Sequence, residues 1–185
     1  ILFRSEIDPQ LAEAWNNRGN ADIAQGNYDE AIKSFDKAIE INPQFAEAWY
    51  NKGYALYAQG NYDEAIQAYN MAIEIDPQHA SAWNNKGYAL YAQGNYDEAI
   101  QAFDKLIEID PKLAKAWWGK GIALYAQSRY NEAIAAFDEA IEIDPQLAEA
   151  WIVKGMSLDG QGKHDEAKAA YDKAIQIDPG LAALP

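Results

Sequence analysis

The chain has 185 residues, of which 49% are hydrophobic and 24% charged, with a formal net charge of −14 and no cysteine. The hydrophobic fraction is enough for a substantial core, while the acidic balance argues against nucleic acid and acidic membrane surfaces, where affinity comes from Lys and Arg. Without cysteine there is no disulfide framework and no thiolate metal site; a reducing compartment fits, and a cytoplasmic location is expected.

No run of about 18 apolar residues occurs, so no bilayer-spanning helix is expected. The opening ILFRSEIDPQ lacks a methionine and is too short in its apolar part for a signal peptide. It reads as the start of a fragment of a longer chain.

Along the chain, prolines fall at Pro9, Pro43, Pro77, Pro111, Pro145 and Pro179, each gap being 34 residues. Trp15, Trp49, Trp83, Trp117 and Trp151 keep the same step, as do Gly19, Gly53, Gly87, Gly121 and Gly155. Residues 46–79 and 80–113 differ at only eight of 34 positions. Self-similarity of this period indicates a stacked repeat array rather than one closed core. Residues 1–11 are expected to be a partial preceding repeat or an N-terminal extension, with Ile1, Leu2 and Phe3 able to cover the first unit. Five repeats follow at 12–45, 46–79, 80–113, 114–147 and 148–181, then a truncated tail at 182–185.

Each unit reads as two helices. In the second unit, AEAWYNKGYALYAQ (46–59) is alanine-rich and free of proline. Gly60 supplies a residue able to take positive φ at the helix end. Asn61 with Glu64 resembles a capping box, and Asp63 and Glu64 suit the positive end of a second helix. Ala65, Tyr69, Ala72 and Ile73 then recur at helical spacing, as one buried face. Pro77 drives Asp76 out of helical geometry and ends the helix. Five such pairs, about ten helices, fit between Leu11 and Pro179.

The spacing Trp49-x2-Lys52-Gly53-x2-Leu56, then Ala65-x3-Tyr69, then Pro77, resembles the tetratricopeptide repeat, and the match recurs in all five units. The resemblance implies an all-α fold: a right-handed α-solenoid, or superhelix, of stacked antiparallel helix pairs. Two departures stand out. Arg18, Lys52, Lys86, Lys120 and Lys154 occupy a position that is usually Leu in the family. Asp22 stands where the other units have Leu56, Leu90, Leu124 and Leu158.

A helical wheel separates packing from free faces. With Trp49 at zero, Gly53 lies at about 40° and Leu56 at about 340°, toward the second helix. Lys52 lies at the flank, where its stem can cover the indole while the ammonium reaches water. The opposite arc holds Tyr50, Asn51, Tyr54 and Tyr57, none of them required for packing within the pair. In the resembled family this arc lines a concave wall. Its candidate residues here are Asn17, Asn20, Tyr50, Asn51, Tyr54, Tyr57, Asn84, Asn85, Tyr88, Tyr91, Trp118, Ile122 and Tyr125. Tyrosine offers contact area with little entropy cost, plus a hydroxyl. Asn17, Asn51 and Asn85 form a ladder of amides that can both donate and accept; peptide-binding members of the family use such amides to pair with an extended backbone. The cations with which some members grip a terminal carboxylate are missing.

Catalytic and metal chemistry find no constellation. His79 and His164 lie 85 residues apart, and acidic pairs such as Asp63–Glu64 are explained by the helix start. No cofactor, no metal and no enzymatic activity are expected. The reading is a non-enzymatic scaffold binding an extended peptide or protein segment in a Tyr/Asn-lined groove. The alternative is a structural module making end-to-end contacts, with itself or with the rest of a longer array, through an apolar end around Ala167, Tyr171 and Ala174.

Overall fold

The computed structural model describes residues 9–183, which form ten α-helices and a closing 3-10 turn, Pro179–Ala183, with no strand among the described residues. The expected cover by Ile1, Leu2 and Phe3, and the tail at 184–185, lie outside the described residues. Two compact units divide the chain, residues 1–93 and 94–185.

The first unit holds α1 (Pro9–Ala24), α2 (Tyr28–Ile41), α3 (Ala46–Ala58), α4 (Tyr62–Ile75) and α5 (Ala80–Ala92). Here α1 packs on α2 and α3 on α4, while α2 also meets α3 and α4 meets α5. The helices that open each repeat touch one another as well, α1 with α3 and α3 with α5. The second unit holds α6 (Tyr96–Ile109), α7 (Ala114–Ala126), α8 (Tyr130–Ile143), α9 (Ala148–Gly160) and α10 (His164–Ile177). Its pairs are α7 with α8 and α9 with α10, joined by α6 on α7, α8 on α9 and α7 on α9.

The cores follow from the repeat letters. Small alanines allow close helix approach, and one large ring per repeat fills the space they leave. Phe35, Tyr69, Phe103 and Phe137 are fully buried in this role. The Tyr69 ring lies so close to Gly53 that a Cβ there would sit 2.6 Å from it, so only glycine fits without moving a buried ring. The repeating Trp and Pro are coupled too. Trp49 Nε1 donates to the Pro43 carbonyl at 3.0 Å, and Trp83, Trp117 and Trp151 reach Pro77, Pro111 and Pro145 in the same way.

Between helices, Gly26, Gly60, Gly94 and Gly162 take φ from 75° to 79°. The fourth repeat has Ser128 at that place, with φ 59°, in the left-handed region that disfavours a side chain. Asp76 is extended, as Pro77 requires.

The expected capping box is not formed. Asn61 has ψ 66° and no side-chain bond to the helix start. That falls short of the extended backbone that aims a capping side chain at the first turn. Its amide lies 3.4 Å from Gln59 Oε1 instead. Asp63, in the first turn, accepts from Gln93 Nε2 of the following repeat at 2.6 Å. The same clasp joins Gln59 to Asp29, Gln127 to Asp97 and Gln161 to Asn131.

Lys52 does more than cover the indole. Its Nζ lies 5.6 Å from the Trp49 ring centroid and 2.6 Å from Asp36 Oδ1 of the preceding repeat. Lys120 pairs with Asp104 and Lys154 with Asp138. Asp22, the departure from leucine, accepts from the buried Ser34 hydroxyl at 3.4 Å. The apolar end expected on α10 is not open: Ala167 and Ala174 are buried, and Tyr171 is half-buried and donates to Asp159 Oδ2. These side chains are already used within the last helix pair.

Candidate functional site

The free-facing arc of the first helices is best described unit by unit. In the first unit, Asn17 and Asn20 on α1 are exposed, and Tyr54 on α3 is 42% exposed. Tyr50, Tyr57, Asn84, Asn85, Tyr88 and Tyr91 are half-buried. Helical spacing puts these side chains on one side of α1, α3 and α5, and the packing of α1 on α3 and of α3 on α5 sets successive rows next to one another.

Two members of the expected asparagine ladder are tied to neighbouring repeats. Asn51 is only 7% exposed, and its Nδ2 donates to Asn16 Oδ1 at 3.0 Å. One repeat on, Asn85 Nδ2 donates to Tyr50 Oη at 3.3 Å, and Asn84 Nδ2 donates to Asn85 Oδ1 at 3.0 Å. In both junctions an asparagine reaches back 35 residues to the side chain at the preceding position of the previous repeat. The helical wheel expects these amides on an open arc and does not reveal that Asn51 is buried or that both bond to the preceding repeat. The 34-residue period itself carries that signal, since register brings such positions together at both junctions of the first unit.

This face of the first helices has few charges. Its main ionic contact is at an edge, where His79 Nε2 lies 3.3 Å from Glu47 Oε2. His79 sits just before α5, and its Nδ1 accepts from the Ala82 amide. Its ring lies 5.0 Å from that of Tyr50. Burial raises the phenol pKa of Tyr50 and, with help from neighbouring Tyr62, that of Tyr57. Burial also pushes Tyr88 up to about 12 and Tyr69 higher still. These hydroxyls therefore stay protonated at neutral pH and can donate.

The second unit differs in character. Trp118, Ile122 and Tyr125 on α7 are half-buried, and on α9 the equivalent positions carry Ile152, Met156 and Asp159, with Met156 39% exposed. This arc is mainly apolar. Tyr125 stacks at a tilt on Tyr130, with centroids 5.8 Å apart, repeating the Tyr57–Tyr62 pair of the second repeat at 5.4 Å. In the last repeat the pair is replaced by Asp159 and His164, 2.8 Å apart. Gly119 takes the place of Asn51 and Asn85, and a Cβ there would meet the Phe103 ring at 2.5 Å. That ring leaves no room for an amide in this register. Among the described residues no three His, Asp or Glu side chains gather as metal ligands. No described helix is long and apolar enough to cross a membrane.

Paired helices repeating every 34 residues, with one face of each first helix left to present side chains, define an α-solenoid repeat protein. Profiles described as tetratricopeptide repeat match residues 16–80, 80–113, 114–147 and 148–181. The chain belongs to the tetratricopeptide repeat family. No curated protein sequence matches it.

Among solved structures it is similar to MamA, at 24% identity and a TM-score of 0.83 over 90% of this chain and 97% of that one. The 41-end form of MamA from Desulfovibrio magneticus RS-1 gives 21% identity and a TM-score of 0.86, covering 94% and 97%. YrrB, described as a TPR protein with an unusual peptide-binding site, gives 24% identity and a TM-score of 0.77, covering 91% and 88%. At these identities the likeness is one of fold.

Proposed function

We propose that the protein is a non-enzymatic interaction scaffold whose first unit binds an extended peptide or protein segment. The contact residues are Asn17, Asn20, Tyr54, Tyr57, Asn84, Asn85, Tyr88 and Tyr91, with Tyr50 at the centre. The observation that carries the reading is the exposure of Tyr54 within a row of half-buried tyrosines and amides on α3 and α5. An aromatic surface with hydroxyls and amides suits a backbone-rich ligand, because it offers contact area and hydrogen bonds with few charges to desolvate. The tetratricopeptide fold, and its likeness to YrrB, a TPR protein with an unusual peptide-binding site, support a protein-binding role. In the second unit, Trp118, Ile122 and Tyr125, with Ile152 and Met156, form an apolar face of their own that takes apolar side chains.

Asn51 belongs to the junction between repeats in this reading, so its substitution tests stacking rather than binding. The test uses exposed residues. A binder is selected from a random peptide library against the wild-type chain, and its affinity is measured for the Asn20→Ala/Tyr54→Ala double variant. Affinity is expected to fall roughly tenfold or more, the range of an aromatic anchor, with helicity unchanged. Equal affinity for the variant would remove the proposed surface.

A further inference from the structure

Tyr69 carries an oxygen that packing does not require. Its side chain is 0% exposed, with its ring edge against Gly53 and its centroid 6.1 Å from that of Tyr50. The hydroxyl makes no hydrogen bond. Phe35, Phe103 and Phe137 fill the equivalent positions in other repeats with the same ring and no hydroxyl. Tyr171, the other tyrosine in this register, has a partner, donating to Asp159 Oδ2 at 2.9 Å. A fully buried hydroxyl without a partner is destabilising and calls for a reason.

The surroundings identify the missing partner. The polar groups near Tyr69 are Asn85, Tyr50, Tyr57 and Tyr54, all from the first-helix face. Asn85 turns its N–H toward this cluster and donates to Tyr50 Oη, while its own carbonyl oxygen accepts from Asn84. The Asn85 amide also helps hold the Tyr69 phenol below the value burial alone would give, but it falls outside hydrogen-bond geometry. It would in any case meet the oxygen as a donor, leaving the phenolic proton without an acceptor. An extended peptide backbone presents a carbonyl at every residue. The half-buried Tyr50 packs its ring beside Tyr69, and its oxygen is held by Asn85 at 3.3 Å, just beyond the usual range for such a bond.

We propose that the Tyr69 hydroxyl is a concealed donor for a backbone carbonyl of the bound segment, uncovered when the Tyr50 side chain moves off Asn85. The inference rests on the peptide-binding reading of the same face and adds a residue that surface inspection would omit. It makes Tyr69 a residue whose hydroxyl lowers stability in the free protein and strengthens the complex.

The test separates those two effects. One peptide is selected from a random library against the wild-type chain. Its dissociation constant and the melting temperature are then measured for wild type, Tyr54→Ala, Tyr69→Phe and Tyr171→Phe. Tyr69→Phe is expected to melt higher and to bind roughly three- to tenfold more weakly, the loss of one net hydrogen bond. Tyr171→Phe, which removes a satisfied hydroxyl, is expected to melt lower with affinity unchanged. A peptide that is weakened by Tyr54→Ala and indifferent to Tyr69→Phe overturns the concealed donor and leaves the peptide-binding reading standing. A peptide indifferent to both variants overturns both.

Discussion

Asn51 Nδ2 donates to Asn16 Oδ1 across 3.0 Å, linking the first helices of two successive repeats through side chains that are both buried. A primary amide removed from water retains its polar groups, and each one left unmatched weakens the fold. The bond therefore makes repeat stacking sensitive to a single position that looks, on a helical wheel, like an open recognition site.

Replacing Asn51 by Ala leaves the Asn16 carbonyl oxygen buried without its donor. A loss of about 1–3 kcal/mol is expected, read as a lower urea midpoint. The Asn16→Ala/Asn51→Ala double variant is expected to lose less than the sum of the two single changes, since it removes both partners. Additive losses in this cycle would mean the two amides are not coupled.

Lys86 is the exception among the lysines that lie over tryptophans. Lys52, Lys120 and Lys154 each reach an aspartate of the previous repeat, but the residue at the same offset from Lys86 is Asn70. Its ammonium stays 5.1 Å from the Trp83 ring centroid, and burial lowers its pKa. Because the folded-state pKa lies below the unfolded one, the unfolded chain binds more protons between the two. This lysine's penalty is then complete at neutral pH and fades as pH rises through the folded value toward about 10.4. Asn70→Asp is expected to raise the Lys86 pKa, measured by NMR at its ε-carbon, and to add about 0.2–1 kcal/mol at neutral pH. An unmoved Lys86 titration in the variant would show that the two positions do not face each other.

Ser128→Gly is expected to stabilise the chain. A left-handed backbone costs a residue with a side chain about 1–2 kcal/mol, whereas glycine's extra freedom in the unfolded state costs about 0.4–1 kcal/mol. The backbone bond from the Ser128 amide to the Tyr125 carbonyl, at 2.8 Å, survives the change. The net expectation is a gain of roughly half a kcal/mol, detectable as a higher melting temperature. A lower one would show that the Ser128 side chain contributes to the turn.

Alkaline titration should expose the buried phenols. Tyr88 is pushed up to about 12 by burial; Tyr171 reaches about 12 through burial and its bond to the Asp159 carboxylate. Both folded values lie above the unfolded value of about 10, so the folded state holds these protons longer. Stability is then unaffected below about pH 10 and falls as pH rises from about 10 to about 12. Phenolate absorbance is expected to appear in two stages, the second coinciding with loss of helicity. A single early stage with helicity intact would contradict the burial of these rings.

The repeat letters made the helices legible because each has a local cause. Gly60 turns, Pro77 terminates, Gly53 admits the Tyr69 ring, and Ala65 and Ala72 pack. A wheel drawn on one helix also found the face carrying Tyr54 and Tyr57. It could not find what one repeat does to the next. The Asn16–Asn51 bond, the Lys52–Asp36 pair and the Gln59–Asp29 clasp all join residues of different units. The same limit produced the capping-box expectation, because spacing alone did not reveal that Asn61 would lack the backbone angle to cap. One pairing was open to view: Asp22 and Ser34 depart from the repeat pattern together, and each supplies what the other needs.

The glutamine clasps recur at one spacing, thirty residues, whatever else changes at the junction: Gln59 to Asp29, Gln93 to Asp63, Gln127 to Asp97, Gln161 to Asn131. Every repeat thus carries a plug at one end and a socket at the other, and any copy can follow any other as far as this contact is concerned. The inner bonds are not so tolerant, since Asn51 meets an amide and Asn85 meets a phenol. A gene that grows by copying one repeat inherits a working outer seam at once. It must then adjust the inner one, where the partner of each asparagine depends on which copy stands before it.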